Sequence, residues 1–325
     1  MKFYSSRQLR ALVLLSSVMI VGICSHQATA QTANKKKNKK EKPPEPERVL
    51  LETKDGVEMR AEWYASNSGK ETIPVILLHD WDSDRSALLP LAGAMQKQLG
   101  LAVIVPDLRG HGESLTVKNS DEELKRDRFK KSALASMVVD IDTCRRFLQE
   151  KNDLGELNLN MLVVVSFGKT ATQATDWCIS DWSWPPIQGV QQGQNVKMLV
   201  LVSPRRRFKS LNMTKNLKHP LFADKSDNLP ILLFWGEDHQ ATSKDGEAIK
   251  VSLQKSRNEK KSYDDDDDDR WEKQSVFNVS YNTDGDWDDL LKRHGRDMLQ
   301  AIGTMIEKKI LANQDEFDWQ KRAIE

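Results

Sequence analysis

The sequence predicts an α/β fold, in which helices cover both faces of a mostly parallel central sheet. Two observations support this prediction. Short, continuously apolar runs recur along the chain, as expected of strands that are buried on both faces. Segments with apolar residues at spacings of three and four separate several of these runs, which indicates helices that cross from one parallel strand to the next.

The first predicted element is a β-hairpin. Two extended runs, 49–53 and 57–64, flank Lys54-Asp55-Gly56, and an Asp-Gly pair between such runs is a strong hairpin signal. Further strands are expected at 75–78, 101–105, 161–165, 198–202, 230–235 and, with more alternation, 275–281. Helices are expected at 84–99, 131–150 and 298–311, where the apolar residues share one face.

The segments outside this domain have their own signatures. Residues 1–30 are typical of a signal peptide, with a basic start, an apolar stretch and small residues before Gln31; an uncleaved anchor is the alternative. Residues 31–48 form a Lys- and Pro-rich linker that is expected to be disordered, or else a basic arm for an anionic surface. The folded α/β domain is expected at 49–312 and a C-terminal tail at 313–325. We expect export to the periplasm or beyond, with no membrane span after signal cleavage.

Charge and cysteine content exclude some functions. The formal net charge of +1 gives no indication of nucleic-acid binding. Cys144 and Cys178 are expected to be buried thiols, although a disulfide is conceivable. An insertion at about 255–270 contains six aspartates, Asp264 to Asp269; we expect a disordered surface loop, because a calcium loop needs a Gly-assisted turn and carbonyl ligands. Nothing in the sequence indicates a cofactor or a metal site.

Three motifs follow the predicted strands, at the edge of the sheet where ligands bind in such folds. They are His79-Asp80-Trp81, Pro106-Asp107-Leu108-Arg109-Gly110-His111-Gly112-Glu113-Ser114 and Ser166-Phe167-Gly168-Lys169-Thr170-Ala171. Their order resembles the N-terminal half of an α/β-hydrolase of the serine esterase or lipase type. The resemblance is strong from Val75 to about Ala174. It implies a nucleophile on a sharp strand-to-helix turn, followed along the chain by an acid and a histidine.

The nucleophile turn has two competing registers. With Gly168 at the apex, the flanking residues Ser166 and Thr170 are small, as the crowded turn requires, but the apex offers no oxygen to attack a carbonyl. With Ser166 at the apex, the bulky Val164 takes a position that calls for glycine or alanine. We favour Gly168. A phosphate-binding loop is disfavoured, because its first glycine would have to be Val163.

The remaining parts of the family's machinery are also altered. The acid loop contains Asp238 and His239, and the loop after the last strand has no histidine, so that only the later His294 is available. Asp80 replaces the glycine that the family usually has beside its oxyanion hole. The residues that the resemblance places in the loops shaping the site are His79, Asp80, Trp81, Asp107, Arg109, Gly110, His111 and Gly112. Within them, the histidines His79 and His111 are expected to be structural.

The leading interpretation is therefore an exported, non-catalytic or strongly impaired relative of these hydrolases that acts by binding. Its partner is unidentified; a cell-envelope component or a small ester or peptide are the candidates. The alternative is an active serine hydrolase that uses Ser166, with His239 or His294 as the base and Asp238 as the acid. A third hypothesis is a wall or matrix protein held by the lysine-rich arm. A Trp- and Pro-rich segment at 176–186 is expected to be a helix end held by aromatic packing, with a lid over the site as the alternative.

Overall fold

A computed structural model of the protein describes residues 42–185, 187, 191–224, 229–259 and 270–322. The proposed signal peptide, most of the linker and the Asp264–Asp269 run lie outside the described residues. Among the described residues, no helix has both the length and the apolar character needed to cross a membrane.

The architecture is a nine-stranded sheet with helices on both faces. The strands are β1 (Glu47–Glu52), β2 (Val57–Tyr64), β3 (Pro74–Leu78), β4 (Ala102–Pro106), β5 (Thr116–Val117), β6 (Leu162–Phe167), β7 (Val196–Val202), β8 (Arg207–Phe208), β9 (Leu211–Asn212), β10 (Ile231–Gly236) and β11 (Val276–Tyr281). The helices are α1 (Leu89–Leu99), α2 (Lys131–Asp153), α3 (Ala171–Trp182), α4 (Met213–Asn216), α5 (Pro220–Ala223), α6 (Gln240–Ser256), α7 (Arg270–Lys273) and α8 (Trp287–Lys309). The predicted fold class is confirmed.

The order of strands in the nine-stranded sheet is β1-β2-β4-β3-β6-β7-β10-β11, and β5 also pairs with β2. Strands β8 and β9 pair with each other in a separate two-stranded sheet. The six strands from β4 to β11 in this order are parallel, whereas β2 is antiparallel to both of its main neighbours. The carboxyl ends of the parallel strands therefore meet at one edge, where β3, β4 and β6 lead into the three motifs of the sequence. The hairpin turn between β1 and β2 contains Gly56 at a φ of 82°.

Two apolar cores lie on opposite faces of the sheet. On one face, α2, α3 and α6 contribute residues such as Ile141, Trp177 and Ile249. On the other, α1 and α8 contribute residues such as Met95 and Ile302. The continuously apolar strands are thus covered on both sides, which is why they lack alternation.

Besides the four-residue helices α4, α5 and α7, which were not predicted, two long helices differ from the sequence expectations. Helix α8 begins at Trp287, well before 298, because the Asp286 side chain accepts a hydrogen bond at its N-terminus and acidic residues occupy its first turn. Helix α6 was not predicted, since its buried face includes Thr242 and Gly246 rather than only large apolar residues. A Cβ on Gly246 would lie 2.7 Å from Trp235, so close packing on the sheet requires glycine there.

The described part of the C-terminal segment contacts the domain. The side-chain amides of Asn158 and Asn152 donate hydrogen bonds to the backbone oxygens of Phe317 at 2.7 Å and Gln320 at 2.8 Å. Arg322 is buried and contacts Asn160. The segment from 317 to 322 is therefore held against the end of α2 and the start of β6. At the other boundary, β1 begins at Glu47, inside the range assigned to the linker.

Candidate functional site

The candidate site is the sharp turn between β6 and α3. Strand β6 ends at Phe167, a 3-10 turn covers Gly168–Thr170, and α3 begins at Ala171. Gly168 has a φ of 58°, in the left-handed region that glycine adopts without steric cost. The residue at the bend, where a nucleophile would stand in an α/β-hydrolase, therefore has no side chain.

The space above Gly168 is filled by the carboxylate of Asp80. A Cβ built on Gly168 would lie 2.1 Å from Asp80 Oδ1 and 2.6 Å from its Cγ, far inside van der Waals contact. Asp80 is 3% exposed. No side chain at position 168 is compatible with this placement of Asp80.

The same carboxylate occupies the anion-binding amide of the turn. In serine hydrolases of this architecture, the backbone N–H after the nucleophile helps to bind the oxyanion. Here Lys169 N donates to Asp80 Oδ1 at 2.6 Å, and Asp82 N donates to Asp80 Oδ2 at 3.0 Å. Burial raises the pKa of Asp80, and these two amide hydrogen bonds act in the opposite direction. The Lys169 ammonium forms an ion pair with Asp82.

A small hairpin, β8–β9, covers the turn from outside. The loop between β7 and β8 is anchored to the turn by a hydrogen bond that Arg205 N donates to Gly168 O at 3.2 Å. The Phe208 ring lies 4.9 Å from that of Trp81, and the Lys209 ammonium lies 4.3 Å from the Trp81 ring centroid. Trp81 is consequently 4% exposed. This cover could not be predicted from the sequence, because two-residue strands have no detectable periodicity.

The two histidines near the turn are tied to the backbone. His79 Nε2 accepts a hydrogen bond from Leu108 N at 3.1 Å, so its Nδ1–H donates to Asp80 O at 2.7 Å. Burial lowers the pKa of His79 to about 3, so its imidazole is neutral near pH 7. The ring nitrogens of His111 lie 2.9 and 2.8 Å from two backbone oxygens. Both ring nitrogens of His79 are therefore occupied by backbone hydrogen bonds. A neutral His111 ring carries one N–H and can donate to only one of its two carbonyl oxygens, and its other nitrogen is buried against the second oxygen.

The loop after β4 is held by Asp107. Its carboxylate accepts hydrogen bonds from Arg85 N and Glu113 N, both at 2.8 Å, and pairs with the Arg85 guanidinium. A Cβ on Gly112 would lie 2.2 Å from Asp107 Oδ2, and one on Gly110 would lie 2.8 Å from the Phe129 ring. The two glycines therefore allow the close turns of this loop.

Arg109 links this loop to two other elements. Its Nε donates to Asp140 Oδ1 at 2.8 Å on α2, and its Nη1 donates to Asp55 at 2.6 Å in the first hairpin turn. All of these groups are satisfied within the protein, so Arg109 and Asp107 act as supports of the loop.

Ser166 lies within β6 and not at the bend. It pairs with Leu78 on one side and Leu201 on the other, it is 0% exposed, and its Oγ has no hydrogen-bond partner among the described residues. A serine nucleophile needs an adjacent base to become reactive. No imidazole fills that role in the described hydrogen-bond network.

The candidate acid and bases have other partners. His239 caps the N-terminus of α6, with Nδ1 2.8 Å from Thr242 Oγ1. Asp238 N donates to Thr283 O at 3.1 Å. His294 lies on α8 and stacks on Tyr281 at a ring-centroid distance of 4.1 Å. The described hydrogen bonds connect none of the three to Ser166.

The tryptophan-rich segment continues α3 to Trp182. Trp177 is buried in the core, and Trp182 Nε1 donates to Val196 O at 3.1 Å. These contacts hold the helix end against β7, away from the turn at Gly168. Among the described residues, no group of three or more His, Cys, Asp or Glu side chains is placed to hold a metal ion. Cys144 and Cys178 are buried free thiols.

Comparison with solved structures identifies the fold. An esterase from Pyrococcus furiosus matches with a TM-score of 0.55 and 14% identity, over 82% of this chain and 91% of that one. An esterase from Pyrobaculum calidifontis matches with a TM-score of 0.55 and 15% identity, over 83% and 87%. A dienelactone hydrolase from Anabaena variabilis matches with a TM-score of 0.54 and 13% identity, over 83% and 100%. No protein-family model and no curated protein matches the sequence. The chain has the α/β-hydrolase fold.

Proposed function

We propose that this protein is a non-catalytic α/β-hydrolase-fold protein that acts by binding. The observation that supports the proposal most strongly is the Asp80 carboxylate, which lies over Gly168 and accepts the Lys169 amide hydrogen bond. A fixed negative charge at that amide opposes the oxyanion that ester cleavage must form. The apex residue also offers no oxygen or sulfur for covalent attack.

Three features of the turn favour binding over cleavage. The turn lacks a nucleophile, the amide is occupied by a carboxylate, and the imidazoles of His79 and His111 are engaged with the backbone. On the hairpin that covers the turn, the Phe208 ring and the Lys209 ammonium lie against Trp81. A surface of this kind suits recognition of an envelope component or a small ester or peptide ligand.

The test is labelling with a fluorophosphonate probe, which modifies activated serines. The purified wild-type protein is expected to remain unlabelled under conditions that label an active esterase completely. A double variant, Asp80→Gly with Gly168→Ser, restores a serine at the bend and frees the amide. It is expected to hydrolyse short aryl esters no faster than the solvent reaction, because no imidazole in the described part of the chain is placed as a base beside the turn.

The competing activity through Ser166 is distinguished by matched variants. Labelling of the wild-type protein that is lost in Ser166→Ala and retained in Ser203→Ala would refute the non-catalytic assignment. Ser203 is a suitable control, because it is also fully buried near the turn and its Oγ also lacks a described partner.

Export is part of the same proposal and rests on residues 1–30 of the sequence. Expression of the full chain in a Gram-negative host is expected to give a periplasmic protein whose N-terminal residue is Gln31. Recovery in the cytoplasm with Met1 intact would refute it. Neither outcome bears on the chemistry of the turn.

A further inference from the structure

A cavity lies at the edge of the sheet opposite the turn at Gly168, where the parallel strands β7 and β10 begin. It has a volume of about 300 Å³ and is lined by Trp182, Lys197, Pro230, Lys309, Glu316 and Phe317, among others. Lys197 follows the first residue of β7, and Pro230 precedes the first residue of β10. The volume is at the lower end of the range for small-molecule sites.

Lys197 is the unusual group in this cavity. Its ammonium lies 5.2 Å from the ring centroid of Trp182 and 5.3 Å from that of Phe317. It forms no ion pair or hydrogen bond with any other described side chain. Burial lowers the pKa of Lys197 to about 8, so the amine remains mostly protonated near pH 7.

Among the described residues, no carboxylate lies within ion-pair distance of the Lys197 ammonium, although the more distant Asp181 and Glu316 raise its pKa against the effect of burial. Contact with two aromatic faces stabilises the charge, but a partly buried charge is normally also paired with an opposite charge. The Asp181 carboxylate is engaged with Asn195 and the Val196 amide. The exposed Glu316 is separated from Lys197 by more than ion-pair distance, and water screens such charges.

The other charged groups leave Lys197 as the principal anion-binding group. Lys309 donates to the backbone oxygen of Trp271 and so has a partner. Glu272, like Glu316, has an exposed side chain. Apolar walls formed by Leu229 and Pro230 complete the lining.

We propose that this cavity binds a small organic carboxylate, with the carboxylate paired to Lys197 Nζ and the apolar body of the ligand against Leu229 and Pro230. The volume corresponds to about ten water molecules at ~30 Å³ each, which suits a ligand the size of an arylalkanoate. The cavity lies at the opposite edge of the sheet from Gly168, so the proposal does not depend on whether the turn is catalytic.

The first test compares three ligands of one skeleton on the wild-type protein by isothermal titration calorimetry. These are 3-phenylpropanoate, the neutral 3-phenylpropanamide and the cationic 3-phenylpropylamine. The carboxylate is expected to bind at least tenfold more tightly than the other two, because charge-assisted hydrogen bonds contribute more than neutral ones. Equal binding of all three, or no binding of the carboxylate, would overturn the proposal.

The second test uses variants with a matched control. Lys197→Met keeps the apolar stem over the two rings and removes the charge, and it is expected to weaken 3-phenylpropanoate binding by about 10- to 100-fold. Lys70→Met is the control, because the Lys70 ammonium also lies over a tryptophan, Trp319, at 3.5 Å, but outside this cavity; it is expected to bind normally.

A third variant protects the test against misfolding. Lys197→Arg keeps the positive charge and is expected to retain most of the affinity, and near-ultraviolet circular dichroism checks the fold of each variant. If Lys197→Met does not fold, the ligand series and the arginine variant decide. Undiminished binding by a folded Lys197→Met would overturn the proposal.

Discussion

Replacement of Gly168 by alanine tests the geometry of the turn. The added Cβ would lie 2.1 Å from Asp80 Oδ1, so the carboxylate must move away and lose its hydrogen bond with Lys169 N. A non-glycine residue in the left-handed region costs roughly 1–2 kcal/mol, and loss of a hydrogen bond to a charged group costs about 1.5–3 kcal/mol. We therefore expect Gly168→Ala to lower the free energy of unfolding by about 2.5–5 kcal/mol.

A double-mutant cycle separates the two contributions. In an Asp80→Ala background the carboxylate is absent, so Gly168→Ala should cost only the backbone penalty of roughly 1–2 kcal/mol. The coupling between the two sites is then about 1.5–3 kcal/mol, which is the range found for residues in direct contact. Urea denaturation followed by tryptophan fluorescence measures each free energy of unfolding.

Gly100→Ala is the matched control. Gly100 has a φ of 71° and its Cβ would meet nothing within 4 Å, so it reports the backbone penalty alone. Two results would show that the Asp80 carboxylate does not fill the turn. One is that Gly168→Ala is no more destabilising than Gly100→Ala, and the other is that the effects at Asp80 and Gly168 are additive.

Three further predictions concern the scaffold. Because burial lowers the pKa of His79 to about 3 from 6.5, the unfolded chain binds an additional proton below pH 6.5. The free energy of unfolding should therefore fall as the pH drops from about 6.5 towards 3, by up to about 1.4 kcal/mol per pH unit. Denaturation midpoints compared across this pH range should fall less steeply in His79→Gln. Burial raises the pKa of the Cys144 and Cys178 thiols, so protein lacking residues 1–30 should react with Ellman's reagent only after unfolding, with two thiols per chain; prompt reaction of the native protein would contradict their burial. Removal of the chain from residue 317 onwards deletes the acceptors of Asn152 and Asn158 and should lower the midpoint of thermal unfolding, with a loss of about 2–3 kcal/mol; an unchanged midpoint would show that the contacts are inconsequential.

The sequence predicted the elements whose pattern is local. The buried strands and the first hairpin follow from apolar runs and from the Asp-Gly turn, and each is found within a residue or two of its expected bounds. Helix α6 was missed because its buried face includes Thr242 and Gly246. Gly246 is explained only by its packing against Trp235 on the preceding strand β10, a contact that the periodicity of the helix does not reveal.

Some features of the candidate site can also be predicted from the sequence, whereas others depend on contacts between distant segments. The absence of an oxygen at position 168 can be read directly from the chain once the turn is located. The direction of the Asp80 side chain cannot, because it depends on how β3 and β6 pair and on the amide of Lys169. The cover formed by Phe208 on Trp81 likewise depends on a contact between segments more than a hundred residues apart.

The glycine at position 168 and the aspartate at position 80 are physically dependent on each other. The turn between β6 and α3 presents an amide that needs an acceptor, and in a serine hydrolase the substrate oxygen supplies it during the reaction. Here Asp80 supplies a permanent acceptor, and it fits only because Gly168 has no Cβ. Restoring a nucleophile alone would therefore create a steric clash, and removing Asp80 alone would leave a buried amide without its partner. On the proposed non-catalytic assignment, a serine nucleophile at this turn would need both changes together with a histidine base beside it.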